Sequence, residues 1–189
     1  MVEQRCAVVA VLGAPNAGKS TLVNTLVGAK VAAVTQKVQT TRALVRGIAM
    51  AGDAQLILID TPGVFAPKRR LDRAMVAAAW SALEGADAIV HVVDAGAYLG
   101  EAKGADARAR EDSDAIAAKL KQMDLASILA LNKVDAVPRP DLLALTTRLV
   151  EAGLYTDVFM IAANKGDGVG DLMRTLAERA PAAARCSTM

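Results

Sequence analysis

Residues 13–20 read G-A-P-N-A-G-K-S, a spacing of glycine, lysine and hydroxyl suited to holding a polyphosphate. Glycine lets the backbone curl until its N–H groups point at phosphate oxygens. A helix starting at the end of the loop adds the positive end of its dipole. Lys19 brings a point charge for the β- and γ-phosphates, and Ser20 a hydroxyl for Mg²⁺. The candidate phosphate-binding residues are therefore Gly13, Asn16, Ala17, Gly18, Lys19, Ser20 and Thr21. The loop alone does not separate ATP from GTP, or a kinase from a switch.

A second group of residues makes that choice. Residues 132–135 read N-K-V-D and follow an apolar run. Guanine presents two donors on one edge, N1–H and the N2 amine, and the Asp135 carboxylate can accept both. Adenine has no such pair and would leave the carboxylate unpaired, a discrimination of about 10⁴ or more in sites built this way. Asn132 is expected to tie the loop to the base and to neighbouring backbone, and the Lys133 stem to lie along one face of the ring. Residues 60–63 read D-T-P-G: Asp60 can hold Mg²⁺ through water, and the Gly63 N–H can meet the γ-phosphate. Residues 39–42 read Q-T-T-R, where Thr40 or Thr41 would coordinate Mg²⁺ once the γ-phosphate is present, with Thr41 slightly favoured. Val64, directly after D-T-P-G, cannot hydrogen-bond an attacking water. His91, the single histidine, lies in an apolar run and reads as a core residue, so no side-chain base is evident.

These motifs need strands that end together and helices that begin there. Residues 6–12 (CAVVAVL) read as a buried strand, and a helix begins at 21–27. Runs 44–50 and 55–59 flank Ala51–Gly52–Asp53, a hairpin signal. Further strands are expected at 88–93, 127–131 and 157–161. Further helices are expected at 74–83, 114–123 (capped by Ser113), 141–152 (after Pro140, stopped by Gly153) and 171–180 (ended by Pro181). Alternating strand and helix predict an α/β domain, a mostly parallel sheet covered on both faces with one antiparallel strand from the hairpin. Ligands in such folds bind at the carboxyl ends of the strands. Residues 182–189 read as a frayed tail.

The bulk composition agrees. The chain has 189 residues, 53% of them hydrophobic but only 3% aromatic, enough for one domain with a substantial core. A net charge of +2 gives no nucleic-acid footprint. The basic cluster Lys68, Arg69, Arg70 and Arg73 reads as a solvated face. Cys6 and Cys186 stand at opposite ends with no CxxC partner, and Cys6 reads as a small core residue. No secretory leader and no apolar run of the roughly 20 residues a membrane helix needs is visible, so a cytoplasmic protein is expected.

The four motifs, taken in order, resemble those of the Era family of GTPases. Q-T-T-R followed by Ala43 fits that family, whereas related tRNA-modification G-domains usually carry an acidic residue there. The resemblance covers about residues 5–180. It implies a P-loop NTPase fold of the Ras-like three-layer type, with a six-stranded sheet and one antiparallel edge strand, over a domain at 1–181. It implies GTP or GDP as ligand, Mg²⁺ as cofactor and slow GTP hydrolysis to GDP and phosphate. Lys19, Asn16, Thr41 and Gly63 then form the catalytic set, and Ser20, Thr40 or Thr41 and Asp60 hold the metal. It places Ala162, Ala163 and Asn164 in the loop that meets guanine. Ala162 stands where the family usually has a serine whose hydroxyl braces the loop, while the Ala163 N–H remains for guanine O6. Potassium-activated members carry an Asn at position 16, which suggests a K⁺ at the β–γ bridge held by Asn16 and backbone around 34–39. Small-subunit ribosomal RNA and the 30S subunit are the implied partners, through a KH domain for which the sequence holds no G-x-x-G candidate. That role is thus expected of a longer parent. The resemblance leaves room for peripheral membrane association and implies a monomer. The rival readings are a tRNA-modification G-domain, a nucleotide-binding module with negligible hydrolysis, and an ATP-dependent enzyme.

Overall fold

Short apolar strands too small to bury both faces alone are stacked between helices in the computed structural model, which describes residues 5–28, 44–60, 80, 83, 85–100 and 104–182. The strands are β1 (Arg5–Gly13), β2 (Leu44–Ala51), β3 (Ala54–Asp60), β4 (Ala88–Asp94), β5 (Ser127–Asn132) and β6 (Tyr155–Met160). The helices are α1 (Lys19–Gly28), α2 (Ala95–Leu99), α3 (Gly104–Gln122), α4 (Arg139–Ala152) and α5 (Val169–Glu178). The six strands lie in the order β2-β3-β1-β4-β5-β6. Every neighbouring pair is parallel except β2–β3, the hairpin, which is antiparallel and puts β2 at the edge.

Strand alternation decides what each face buries. Val9 and Val11 of β1, Leu56 and Leu58 of β3, and Val90 and Val92 of β4 pack under α1 and α5. Ala10, Leu12, Ile57, Ile59 and Ile89 face the other way, against Ile116 and Leu120 of α3 and against Trp80 and Leu83. Further along that second face, Leu129 and Leu131 meet Tyr98 of α2 and Leu142, Leu145 and Leu149 of α4. Cys6 is a core residue, 3% exposed. No helix among the described residues is long and apolar enough to cross a membrane.

The strand order explains where ligands belong. β1 has β3 on one side and β4 on the other, so the chain leaves β1 in both directions. This is the switch point of an open parallel sheet, and the crevice lies outside the carboxyl end of β1.

Several elements differ from the sequence expectation. α3 begins at Gly104 rather than 114, and Ser113 is an interior residue whose hydroxyl donates to Ala109 O at 2.7 Å instead of capping. The first turns of α3 hold no buried residue and carry no apolar stripe, so periodicity does not reveal them. α2, five residues with a glycine, is too short for any periodicity; it exists because the Asp94 carboxylate accepts from Ala97 N at 3.0 Å. β6 starts at Tyr155 and α5 at Val169, each two residues before the expected start. The helix expected at 74–83 and the tail after 182 fall largely outside the described residues; of the former, Trp80 and Leu83 are buried.

Candidate nucleotide site

The phosphate-loop sequence connects β1 to α1, which starts at Lys19. Gly13 is required by crowding: a Cβ there would sit 2.4 Å from Val92 O on the neighbouring strand. Asn16 adopts a left-handed φ of 61°, tolerable for asparagine. Gly18, at φ 96°, would place a Cβ 2.2 Å from Asn132 Nδ2. Lys19 Nζ donates to Gly13 O and Ala14 O, both at 2.9 Å, and so lies across the loop. Asn16, Gly18, Lys19, Ser20, Thr21 and Lys133 line a cleft of about 420 Å³. Another cleft, of about 380 Å³, lies beside Arg5 and Asp53 at the opposite end of β1, away from every motif.

Asn132 joins the 13–20 loop to the 162–164 loop. It ends β5, is 2% exposed, donates from Nδ2 to Ala17 O at 2.9 Å and accepts at Oδ1 from Ala163 N at 3.0 Å. One buried amide thus fixes the phosphate loop, the N-K-V-D segment and the 162–164 loop to one another. The Ala163 N–H, expected to meet guanine O6, is engaged by Asn132 here. Backbone bonds hold this loop at Ala162: its N–H donates to Asp167 O at 3.0 Å and its carbonyl accepts from Lys165 N at 2.9 Å. Thr25 Oγ1 of α1 adds a bond to Ala163 O at 2.8 Å.

The two charged residues of N-K-V-D each have a partner that the sequence reading did not name. Lys133, left-handed at φ 61°, places Nζ 2.6 Å from Asp94 Oδ2 and donates to Asn16 O at 3.0 Å. Its stem therefore runs from base loop to phosphate loop with its far end anchored. Asp135 Oδ2 lies 2.8 Å from Lys165 Nζ. The Lys165 hydrogen bond holds the Asp135 carboxyl below its ordinary pKa, and the same bond raises that of Lys165. Asp94 was legible in principle: it closes the apolar run AIVHVV at the carboxyl end of β4. Lys165 follows Asn164 with no signal of its own.

Asp60 is the last residue of β3, in register with Val11 of β1, which brings the end of β3 beside the phosphate loop. Thr40, Thr41, Gly63, Val64, the Lys68–Arg73 cluster and Cys186 lie outside the described residues. His91 is fully buried; its Nδ1 meets Tyr155 Oη at 2.7 Å and its Nε2 has no partner. Burial, followed by the Lys19 charge, pulls its pKa down to about 3, so it stays neutral and sits in the core rather than at the cleft.

Comparison with known proteins gives the same picture. Residues 8–133 match the family model described as 50S ribosome-binding GTPase. The chain is 56% identical over 182 residues to GTPase Era of Maricaulis maris, covering 94% of this chain and 58% of that protein. It is 52% identical over 181 residues to GTPase Era of Caulobacter vibrioides strain NA1000, covering 94% and 57% respectively. Among solved structures, it superposes with a TM-score of 0.67 at 32% identity on Era in complex with MgGDPNP and nucleotides 1506–1542 of 16S ribosomal RNA, covering 94% of this chain and 58% of that one. The chain spans somewhat over half the length of the relatives it matches.

Proposed function

This chain belongs to the Era family of GTPases, and from that premise we propose that residues 1–181 form a domain that binds guanine nucleotide with Mg²⁺ and hydrolyses GTP to GDP and phosphate as a slow switch. The supporting observation is the Asn132 amide, which holds the 13–20 loop and the 162–164 loop together at the carboxyl ends of β1 and β5. A kinase or ATPase has no need of the Asp135 carboxylate beside that junction.

In this reading the backbone of Gly13, Asn16, Ala17, Gly18, Lys19, Ser20 and Thr21 takes the phosphates, with Lys19 Nζ turning from its loop carbonyls to the β- and γ-oxygens. Asp135 accepts from guanine N1–H and N2–H, and the anchored Lys133 stem covers the ring. Guanine O6 falls to the 162–164 loop, where the Ala163 N–H is shared with or released by Asn132. Ser20, Asp60 and Thr41 or Thr40 would hold Mg²⁺, which would neutralise charge on the phosphates. Water attacks the γ-phosphorus, the bond to the β–γ bridging oxygen breaks, GDP departs with the electron pair and the proton passes to phosphate. Gly63 N–H meets the γ-phosphate. Val64 cannot orient that water, so turnover is slow without a partner.

Asn16 lines the cleft beside Lys19, so its amide would be placed to hold a K⁺ that would supply the charge an arginine finger otherwise brings. Equal turnover in K⁺ and Na⁺ would remove this K⁺ site. Where such a domain is joined to further chain, as in relatives of the length matched here, the reading extends to binding of small-subunit ribosomal RNA and service in 30S assembly, in the cytoplasm. The guanine reading is tested with Asp135→Asn, expected to lose GDP binding and gain xanthosine diphosphate, whose 2-oxo group accepts from the new amide. Unchanged GDP affinity in Asp135→Asn refutes the assignment. Single-turnover kinetics separates a GTPase from a binding module with negligible hydrolysis.

A further inference from the structure

Resting on Asp135 as the base acceptor, we propose that Lys165 contends with guanine for that carboxylate and thereby sets how fast and how tightly nucleotide binds. Lys165 belongs to none of the motifs. The loop places it: its N–H donates to Ala162 O, and the pairing of Ala162 with Asp167 closes the turn around it. From there Nζ reaches Asp135 Oδ2 at 2.8 Å. Guanine N1–H and N2–H need both carboxylate oxygens in one plane, so an ammonium on Oδ2 engages an atom the base must use.

The two lysines at this end of the site differ in a way that assigns their roles. Lys133 is committed at two points, to Asp94 at 2.6 Å and to Asn16 O at 3.0 Å, and Asp94 is itself fixed as the cap of α2. Lys165 has a side chain 56% exposed, on a flexible four-carbon stem, and its ion pair forms in water. Exposed pairs of that kind are weak, so guanine can displace the ammonium at a modest cost. Lys165 therefore tunes the site without closing it.

The experiment follows association and dissociation of a fluorescent GDP analogue with Mg²⁺ by stopped flow at low salt. Lys165→Met keeps the stem and removes the charge. It is expected to associate faster and bind about two- to fivefold tighter than wild type, the range a weak exposed ion pair supports. Lys165→Arg stays near wild type. The gain shrinks at 1 M NaCl, where the screening length is about 3 Å. A charge that merely steers phosphates would act whatever stands at position 135. The same substitution is therefore repeated on Asp135→Asn with xanthosine diphosphate, where no carboxylate remains and no gain is expected. GDP binding by Lys165→Met that is equal to or weaker than wild type overturns the inference, as does an equal gain in the Asp135→Asn background. Failure of the wild-type protein itself to bind GDP instead strikes the guanine reading beneath it.

Discussion

Gly18→Ala is usually expected to harm a phosphate loop by blocking phosphate; here it should destabilise the fold before any nucleotide is added. The new Cβ would fall 2.2 Å from Asn132 Nδ2, and Asn132 cannot yield, being 2% exposed and bonded at both ends. Driving Asn132 aside leaves Ala17 O and Ala163 N buried without partners, at about 1–3 kcal/mol each. A φ of 96° adds about 1 kcal/mol for any residue with a Cβ. Together these give about 4 kcal/mol, a large share of a stability of about 5–15 kcal/mol. Asn132→Ala removes the obstacle along with the bonds and costs about 3 kcal/mol alone. In that background Gly18→Ala should cost only the backbone contribution, about 1 kcal/mol, a coupling of about 3 kcal/mol. Urea denaturation of the nucleotide-free single and double variants, followed by circular dichroism, measures the cycle. Additive costs would refute the reasoning, because they would mean that Gly18 and Asn132 do not share one space.

Two other outcomes follow from the same geometry. Asp94→Asn keeps an oxygen to cap α2 but loses the charge on Lys133; since the pair is half-exposed at the lysine and mostly buried at the aspartate, GDP affinity should fall about fivefold, read by calorimetry. An unchanged affinity would show that Lys133 needs no anchor. His91 is neutral when folded down to a pH of about 3, whereas an unfolded histidine takes a proton near pH 6.5. Between those values the unfolded state binds more protons, so stability falls as pH falls, by about 2 kcal/mol from pH 7 to 5. Urea midpoints across that range test it, and His91→Asn, which takes no proton, should flatten the slope.

The α/β alternation and the phosphate loop could be read from residues alone because both are local. A run such as CAVVAVL must be buried, and the spacing of Gly13, Gly18, Lys19 and Ser20 is itself the chemistry. The antiparallel hairpin around Gly52 was equally local. Helix α3 was found only in its buried half, because its first turns lie on the surface where hydrophobic periodicity is silent. What tertiary structure alone decided was which residues meet. Asn132 and Ala17 are 115 positions apart, and Asp135 and Lys165 belong to loops after different strands. Those contacts arise because parallel strands all end on one side of the sheet, so loops remote in sequence converge there. No spacing rule within the chain records that convergence, which is why Thr25 and Lys165 emerged only once the strands were in order.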